Sequence, residues 1–307
     1  MASSFRQKLK VWILPLAMVC GVLFHDVIDN VQFLAPYLIF AMLLITFSRV
    51  EPSHFRISGL AWSVVSVQVF CGILAFLALM YVNEDCAQGA MICVMCPTAT
   101  AAPVITAMLG GSITTLIAIS VLSNVAAAIV APVMFTLVAP VGAAQISFIG
   151  TFSAILAKVG PLIIGPMILA LLIRRFLPRV HNEIANKQSW SFYIWAVSLI
   201  IVVGRAVSFA IAESVEKIPE MIVLAVIALV LCVAQFAIGR KLGAHYGDKV
   251  AGTQSLGQKN TVLAVWMSVN FLNPISSIAP AAYVAWQNIL NSLQIYINMR
   301  SKRPLNN

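Results

Sequence analysis

Charge is what this chain has least of. Of its 307 residues only 9% are Asp, Glu, Lys or Arg, whereas soluble globular domains carry about 25%. So few ionic side chains cannot cover a water-facing surface of this size, and with 61% of residues hydrophobic most of the exterior must face lipid. A soluble fold, a disordered chain and a secreted disulfide scaffold are excluded together. Histidine is scarce too: His25, His54, His181 and His245 all fall near the ends of apolar stretches, which leaves no metal cluster or proton relay of histidines at depth. The six cysteines suggest no disulfide frame, and Cys93-x-x-Cys96, one helical turn in an apolar run without a nearby histidine, reads as inert.

What is present is long apolar segments. A helical span takes roughly 20 apolar residues, and about ten such stretches occur, near 10–26, 32–48, 57–81, 88–109, 113–138, 151–177, 190–211, 220–240, 246–270 and 275–298. Runs such as Met221 to Val233 are continuously apolar, so helices fit and the alternation of a barrel does not. Arg6, Lys8 and Lys10 before the run from Val11 to Phe24 resemble a signal peptide, but no small-x-small site follows and the run is expected to stay as span one. Trp12, Trp190 and Trp195 sit where interfacial anchors are expected.

Lys and Arg accumulate in cytoplasmic loops. By these spans fifteen of the nineteen basic residues fall on one side, from Arg6, Lys8 and Lys10 through Arg174, Arg175 and Arg179 to Arg300, Lys302 and Arg303, while the other side holds Lys217 alone. Both termini are therefore expected in the cytoplasm of a cell whose plasma membrane, the inner membrane in a bacterium, holds the protein. The net charge of +9 reflects this topology and does not point to nucleic acid. Three cations, Lys158, Arg205 and Lys259, remain inside spans, and all ten acidic residues fall in loops. Lys158 reads as a snorkelling side chain, and Arg205 as either a cap on a partner helix or part of an outer cavity.

Two spans are expected to break. Cys96-Pro97-Thr98-Ala99-Thr100-Ala101-Ala102-Pro103 puts two prolines in the middle of the fourth, and Gly252 to Thr261 in the ninth is almost wholly small or polar. Each is fourth in a half of five spans, with boundaries at 1–140 and 141–307, and an odd number makes the halves insert upside down relative to each other. Interrupted segments at matching positions of two halves point to the binding site of a secondary transporter.

Cys96-Pro97-x-x-Thr100-Ala101, Asn260-Thr261-x-Leu263-Ala264 with its preceding glycine, and Trp286-Gln287-Asn288-Ile289 resemble the bile acid:sodium symporter superfamily across nearly the whole chain. The resemblance implies an all-α membrane fold of ten helices in two inverted repeats, with a panel (spans one, two, six and seven) and a core (three to five, eight to ten). Spans four and nine would cross at their unwound centres, where substrate and sodium bind. Ala102, Pro103 and Leu116 fall on polar positions of the first sodium site and leave Ser120 as its oxygen. At the second, Ser255 replaces the acidic ligand, Lys259 a glutamine, and Gln68 matches the remaining side chain, with Leu256 and Gln258 beside them in the break. Asn260 and Asn288 match positions facing the substrate cavity, and Gln287 replaces a histidine seen in some members.

An ammonium in place of a glutamine and a serine in place of a carboxylate weaken a sodium site severely. The expected function is alternating-access transport of an organic anion, bile-acid-like, keto acid or pantoate-like, with sodium symport typical of the resemblance but here sodium-independent or coupled to a proton on Lys259. Lys259 stands in for the cation or is completed by the substrate, with Thr98, Thr100, Asn260, Thr261, Gln287 and Asn288 as donors. No other cofactor is implied; the partners are the anion and the bilayer. An enzyme is disfavoured by the lack of Asp, Glu and His in the spans; an arsenite exporter using Cys96 and an anion channel stay open.

Overall fold

The computed structural model describes residues 16–50, 57–138, 148–186, 188–212 and 215–301. The basic residues at positions 6, 8, 10, 56, 187, 302 and 303, the acidic ones at 51 and 213, and Trp12 lie outside them. The described residues are almost entirely helical. A first helix, α1, covers 16–23. The next are α2 (Ala35–Phe47), α3 (Gly59–Leu79), α4 (Glu84–Met95), α5 (Ala102–Leu109), α6 (Ile113–Val138) and α7 (Phe148–Phe176). There follow α8 (Pro178–Asn186), α9 (Gln188–Ala212), α10 (Ile218–His245), α11 (Lys249–Gly257), α12 (Thr261–Phe271) and α13 (Ile278–Ser301). This is an integral multi-pass membrane protein.

Among the described residues six segments are long and apolar enough to cross a bilayer alone: Asn30–Phe47, Gly59–Leu79, Ile113–Val138, Phe148–Phe176, Tyr193–Ala212 and Val215–His245. The difference from ten has physical causes. The fourth and ninth stretches are each split into two short helices, the first begins outside the described residues, and α13 carries Gln287, Asn288, Asn291, Gln294 and Asn298.

Local chemistry sets the ends. Asn83 caps α4 by accepting from the Cys86 N–H at 2.7 Å, so Glu84 and Asp85 lie in a helical first turn and not in a loop. Glu220 is likewise in the first turn of α10, where a carboxylate suits the positive end of the helix dipole. Lys217 joins these elements, its Nζ 2.8 Å from Glu220 and 3.7 Å from Asp85. Asp248 caps α11 through the Ala251 N–H and also accepts from the Ser112 N–H at 2.9 Å, pinning the turn between α5 and α6. Within that turn Gly110 takes φ 86°, a conformation that closes α5 at little cost for glycine.

The largest apolar cluster joins Ile39, Met42 and Leu43 of α2 to Val159 and Ile163 of α7, Leu199 of α9 and Val262 to Val265 of α12. A second cluster packs Cys93 against Leu224, Ala228, Cys232 and Tyr283. Together they enclose the two helix breaks.

Candidate functional site

The chain leaves helical conformation at Cys96 and resumes it at Ala102, and leaves it again at Gln258 and resumes it at Thr261. Pro97 explains the first break, since it restricts Cys96 to extended backbone, observed at ψ 140°. The second has no proline; Gln258 extends and Asn260 caps α12, accepting from the Leu263 N–H at 3.3 Å. The two unwound pieces pair as a short antiparallel bridge between Thr98 and Lys259. Ala99 N–H donates to Gln258 O at 2.9 Å and Asn260 N–H to Pro97 O at 2.8 Å. Backbone groups freed by the breaks thus satisfy each other where Thr98, Ala99, Lys259 and Asn260 are all buried.

The helix ends facing this crossing are closed by side chains. The last carbonyls of α4 have no helical partners and carry partial negative charge. Gln235 Nε2 donates to Cys93 O at 3.3 Å, Lys259 Nζ to Val94 O at 2.8 Å and Gln68 Nε2 to Met95 O at 2.7 Å. Lys259 is 1% exposed. At the end of α11 the donors are neutral: Thr98 Oγ1 bonds Ser255 O at 2.7 Å and the Tyr283 hydroxyl bonds Gly257 O at 2.9 Å. One half-helix is capped by an ammonium and its counterpart by hydroxyls.

Several residues expected from sequence meet here. Gln287 Oε1 accepts from the Lys259 backbone N–H at 2.9 Å, and Ser123 links Thr98 to Gln68, accepting from the Thr98 N–H at 3.1 Å and donating to Gln68 Oε1 at 2.6 Å. Asn260 Nδ2 and Thr261 Oγ1 are buried without a partner, as is Ser120 Oγ. Thr100 is buried at the break. Others turn elsewhere: Asn288 Nδ2 donates to Val284 O of its own helix at 2.8 Å, Gln258 Nε2 bonds Gln254, the Ser255 hydroxyl donates to Gly252 O at 3.1 Å, and Leu256 packs with Leu60, Val64 and Ile119. Cys96 Sγ donates to Asn260 O at 3.0 Å.

Sequence reasoning passed over Ser123, Gln235, Tyr283 and the Val94 carbonyl. The first three are isolated polar residues inside apolar spans, a visible signal; a particular backbone carbonyl has none. No group of three or more His, Cys, Asp or Glu side chains suited to a metal occurs among the described residues. Apart from the crossing, a cavity of 570 Å³ opens between α7, α9 and α12, with Lys158 and Arg205 on its wall.

The sequence matches the model of the SBF-like CPA transporter family over residues 23–285. No curated protein matches the chain.

Proposed function

Because the chain belongs to the SBF-like CPA transporter family, within the bile acid:sodium symporter superfamily, we propose that it carries an organic anion by alternating access, with Lys259 as a built-in cation where relatives would hold sodium. Ten spans in two inverted repeats, with a panel and a core, form the frame of this reading. The observation that carries it is the Lys259 ammonium, buried and 2.8 Å from the Val94 carbonyl at the negative end of α4. A cation bound there needs oxygens from the protein, and Lys259 already takes one of them. A sodium ion beside it would meet an ammonium and a Ser255 hydroxyl turned to Gly252. These residues do not suit sodium.

Anion binding is supported by donors left over at the crossing. Asn260 Nδ2 and Thr261 Oγ1 lack partners, and Gln287 uses its oxygen on Lys259, which leaves its amide N–H₂ to donate. Thr98 and Thr100 border the same break, and Asn288 would reach the anion after releasing Val284. With no carboxylate beside Lys259 among the described residues, the crossing stays net positive whenever the amine is protonated.

The test is uptake of a labelled anion panel by proteoliposomes holding the full chain, in sodium, potassium or choline buffers. Equal rates in all three are expected, with Lys259→Met abolishing transport while folded protein is retained. Uptake that requires sodium, in wild type or in Lys259→Met, would overturn the proposal. A proton-coupled form adds acceleration by an imposed pH gradient, lost in the same variant.

A further inference from the structure

We infer that the corner where α7 passes into α8 binds one phospholipid with an anionic headgroup, held by Arg175 and Arg179, with an acyl chain along Leu172 and Phe176. The inference is separate from the transport reading and stands or falls without it.

Length puts this corner at headgroup level. The 29 residues of α7 run about 43 Å, more than the ~30 Å of a bilayer's hydrocarbon, so the helix leaves the apolar layer at one end at least. Arg174 and Arg175 in its last turn mark that end. Trp190, near the start of α9 where the chain turns back, is 62% exposed, as suits an aromatic ring at the interface.

Helical register survives the junction between α7 and α8. Pro178 supplies no N–H, yet the Leu177 N–H donates to Ile173 O at 2.8 Å and the His181 N–H to Leu177 O at 3.0 Å. Residues four apart therefore stay one turn above another. Arg175 and Arg179 form a pair of cations beside a row of Leu172, Phe176 and Val180, and all five are exposed. The other side of the corner is fixed to the protein, since Arg174 Nη1 donates to Val50 O at 2.7 Å and His181 is buried.

The two outward guanidinium groups lack counter-ions. Among the described residues the ion pairs join His25 to Asp26 and Lys217 to Asp85 and Glu220, and none involves Arg175 or Arg179. Glu183, one turn beyond Arg179, is exposed and makes no ion pair with it. A phosphodiester offers the pair of oxygens that a guanidinium grips bidentately. Leu172 and Phe176 continue from the cations back along α7, where a chain attached to that phosphate would lie; a soluble anion would leave them uncovered. The helices that meet here, α2, α7 and α8, carry neither break. A lipid at this corner fastens the part of the molecule outside the crossing.

The detergent-solubilised full chain is titrated with dioleoylphosphatidylglycerol and, separately, with dioleoylphosphatidylcholine, and binding of the first lipid is read by native mass spectrometry. Tighter binding of phosphatidylglycerol is expected. Arg175→Gln and Arg179→Gln should each weaken it about fivefold, the scale of one basic side chain facing an anionic headgroup, and the two together about 25-fold. Phosphatidylcholine binding should not change. Arg240→Gln combined with Lys241→Gln, the same loss of charge near the end of α10, should leave phosphatidylglycerol binding as in wild type. Equal affinity for the two lipids, or equal loss in the two double variants, would overturn the inference. So would dihexanoylphosphatidylglycerol binding as tightly as the dioleoyl lipid, or displacement of the lipid by inorganic phosphate, either of which marks a site for a free anion.

Discussion

At the scale of single residues, the crossing is held by a relay that begins in a helix outside the breaks. Gln68 of α3 donates to Met95 O and accepts from Ser123, and Ser123 in turn accepts from the Thr98 N–H. All three side chains are buried. Replacing one member strands the others, and a buried polar group left without its partner costs about 1–3 kcal/mol. Gln68→Leu therefore leaves Met95 O and the Ser123 hydroxyl uncompensated, and the thermal midpoint of the detergent-solubilised full chain should fall by several degrees. An unchanged midpoint would mean the relay contributes nothing to holding the breaks. Part of this is legible in the sequence: Gln68 is a polar residue among apolar neighbours, Thr98 lies between Pro97 and Ala99 in the first break, and Ser255 and Lys259 belong to the polar run of the second. Ser123 is visible as a polar residue within an apolar span, but that span has no break to mark it as part of the crossing, and composition does not say whether the Asn288 amide turns to a cavity or, as here, to Val284 O of its own helix.

At the scale of elements, half-helices are short and must borrow stability from packing. The nine residues of α11 lie against α10 through glycines. A Cβ on Gly252 would come within 2.4 Å of Gly239 O and 2.5 Å of Gly243 Cα, and one on Gly239 within 2.3 Å of Gly252 O. These are backbone atoms that no rotamer change can move, so the two helices would have to separate. Gly252→Ala is expected to cost about 1–3 kcal/mol or more by overpacking, read as loss of monodisperse protein on size exclusion and a lower thermal midpoint. Gly160→Ala serves as the control, since its Cβ would meet Leu156 at an ordinary 3.6 Å. If both variants behave alike, close packing is not what seats α11. The sequence announced the breaks through Pro97 and the polar run after Gly252, but it hid this contact: a glycine spaced for helix packing looks the same as one placed to kink. It also hid α8, whose Pro178–Asn186 segment reads as a polar loop between spans and forms a helix with His181 buried.

For the whole molecule the question is whether the crossing forms a pore or a barrier. Thr98, Ser255, Lys259 and Gln287 are each at most 2% exposed; the Thr98 hydroxyl is bonded to Ser255 O, the Lys259 ammonium to Val94 O and the Gln287 amide oxygen to the Lys259 N–H, while the Ser255 hydroxyl is bonded to Gly252 O of its own helix. No open aqueous path is compatible with that degree of closure at these residues. The 570 Å³ cavity lies on one side of the barrier, lined by the second half of α12, the start of α2 and the second half of α9. With both termini in the cytoplasm, as we propose from the uneven distribution of basic residues, that side would be external, since the ends 29–35, 212 and 271 belong to the face holding Lys217. In the proposed carrier such a one-sided cavity above a bonded barrier is one state of the cycle, and the proposed anion would pass only if the barrier regroups once per cycle, on the microsecond to millisecond scale or slower. Flux should therefore saturate with substrate, show counterflow of labelled anion against an unlabelled load, and produce no unitary current steps in planar bilayers under an anion gradient. Discrete steps carrying thousands of charges per opening would make the protein a channel, and the bonds between Lys259, Val94 and Gln287 would then describe a closed gate.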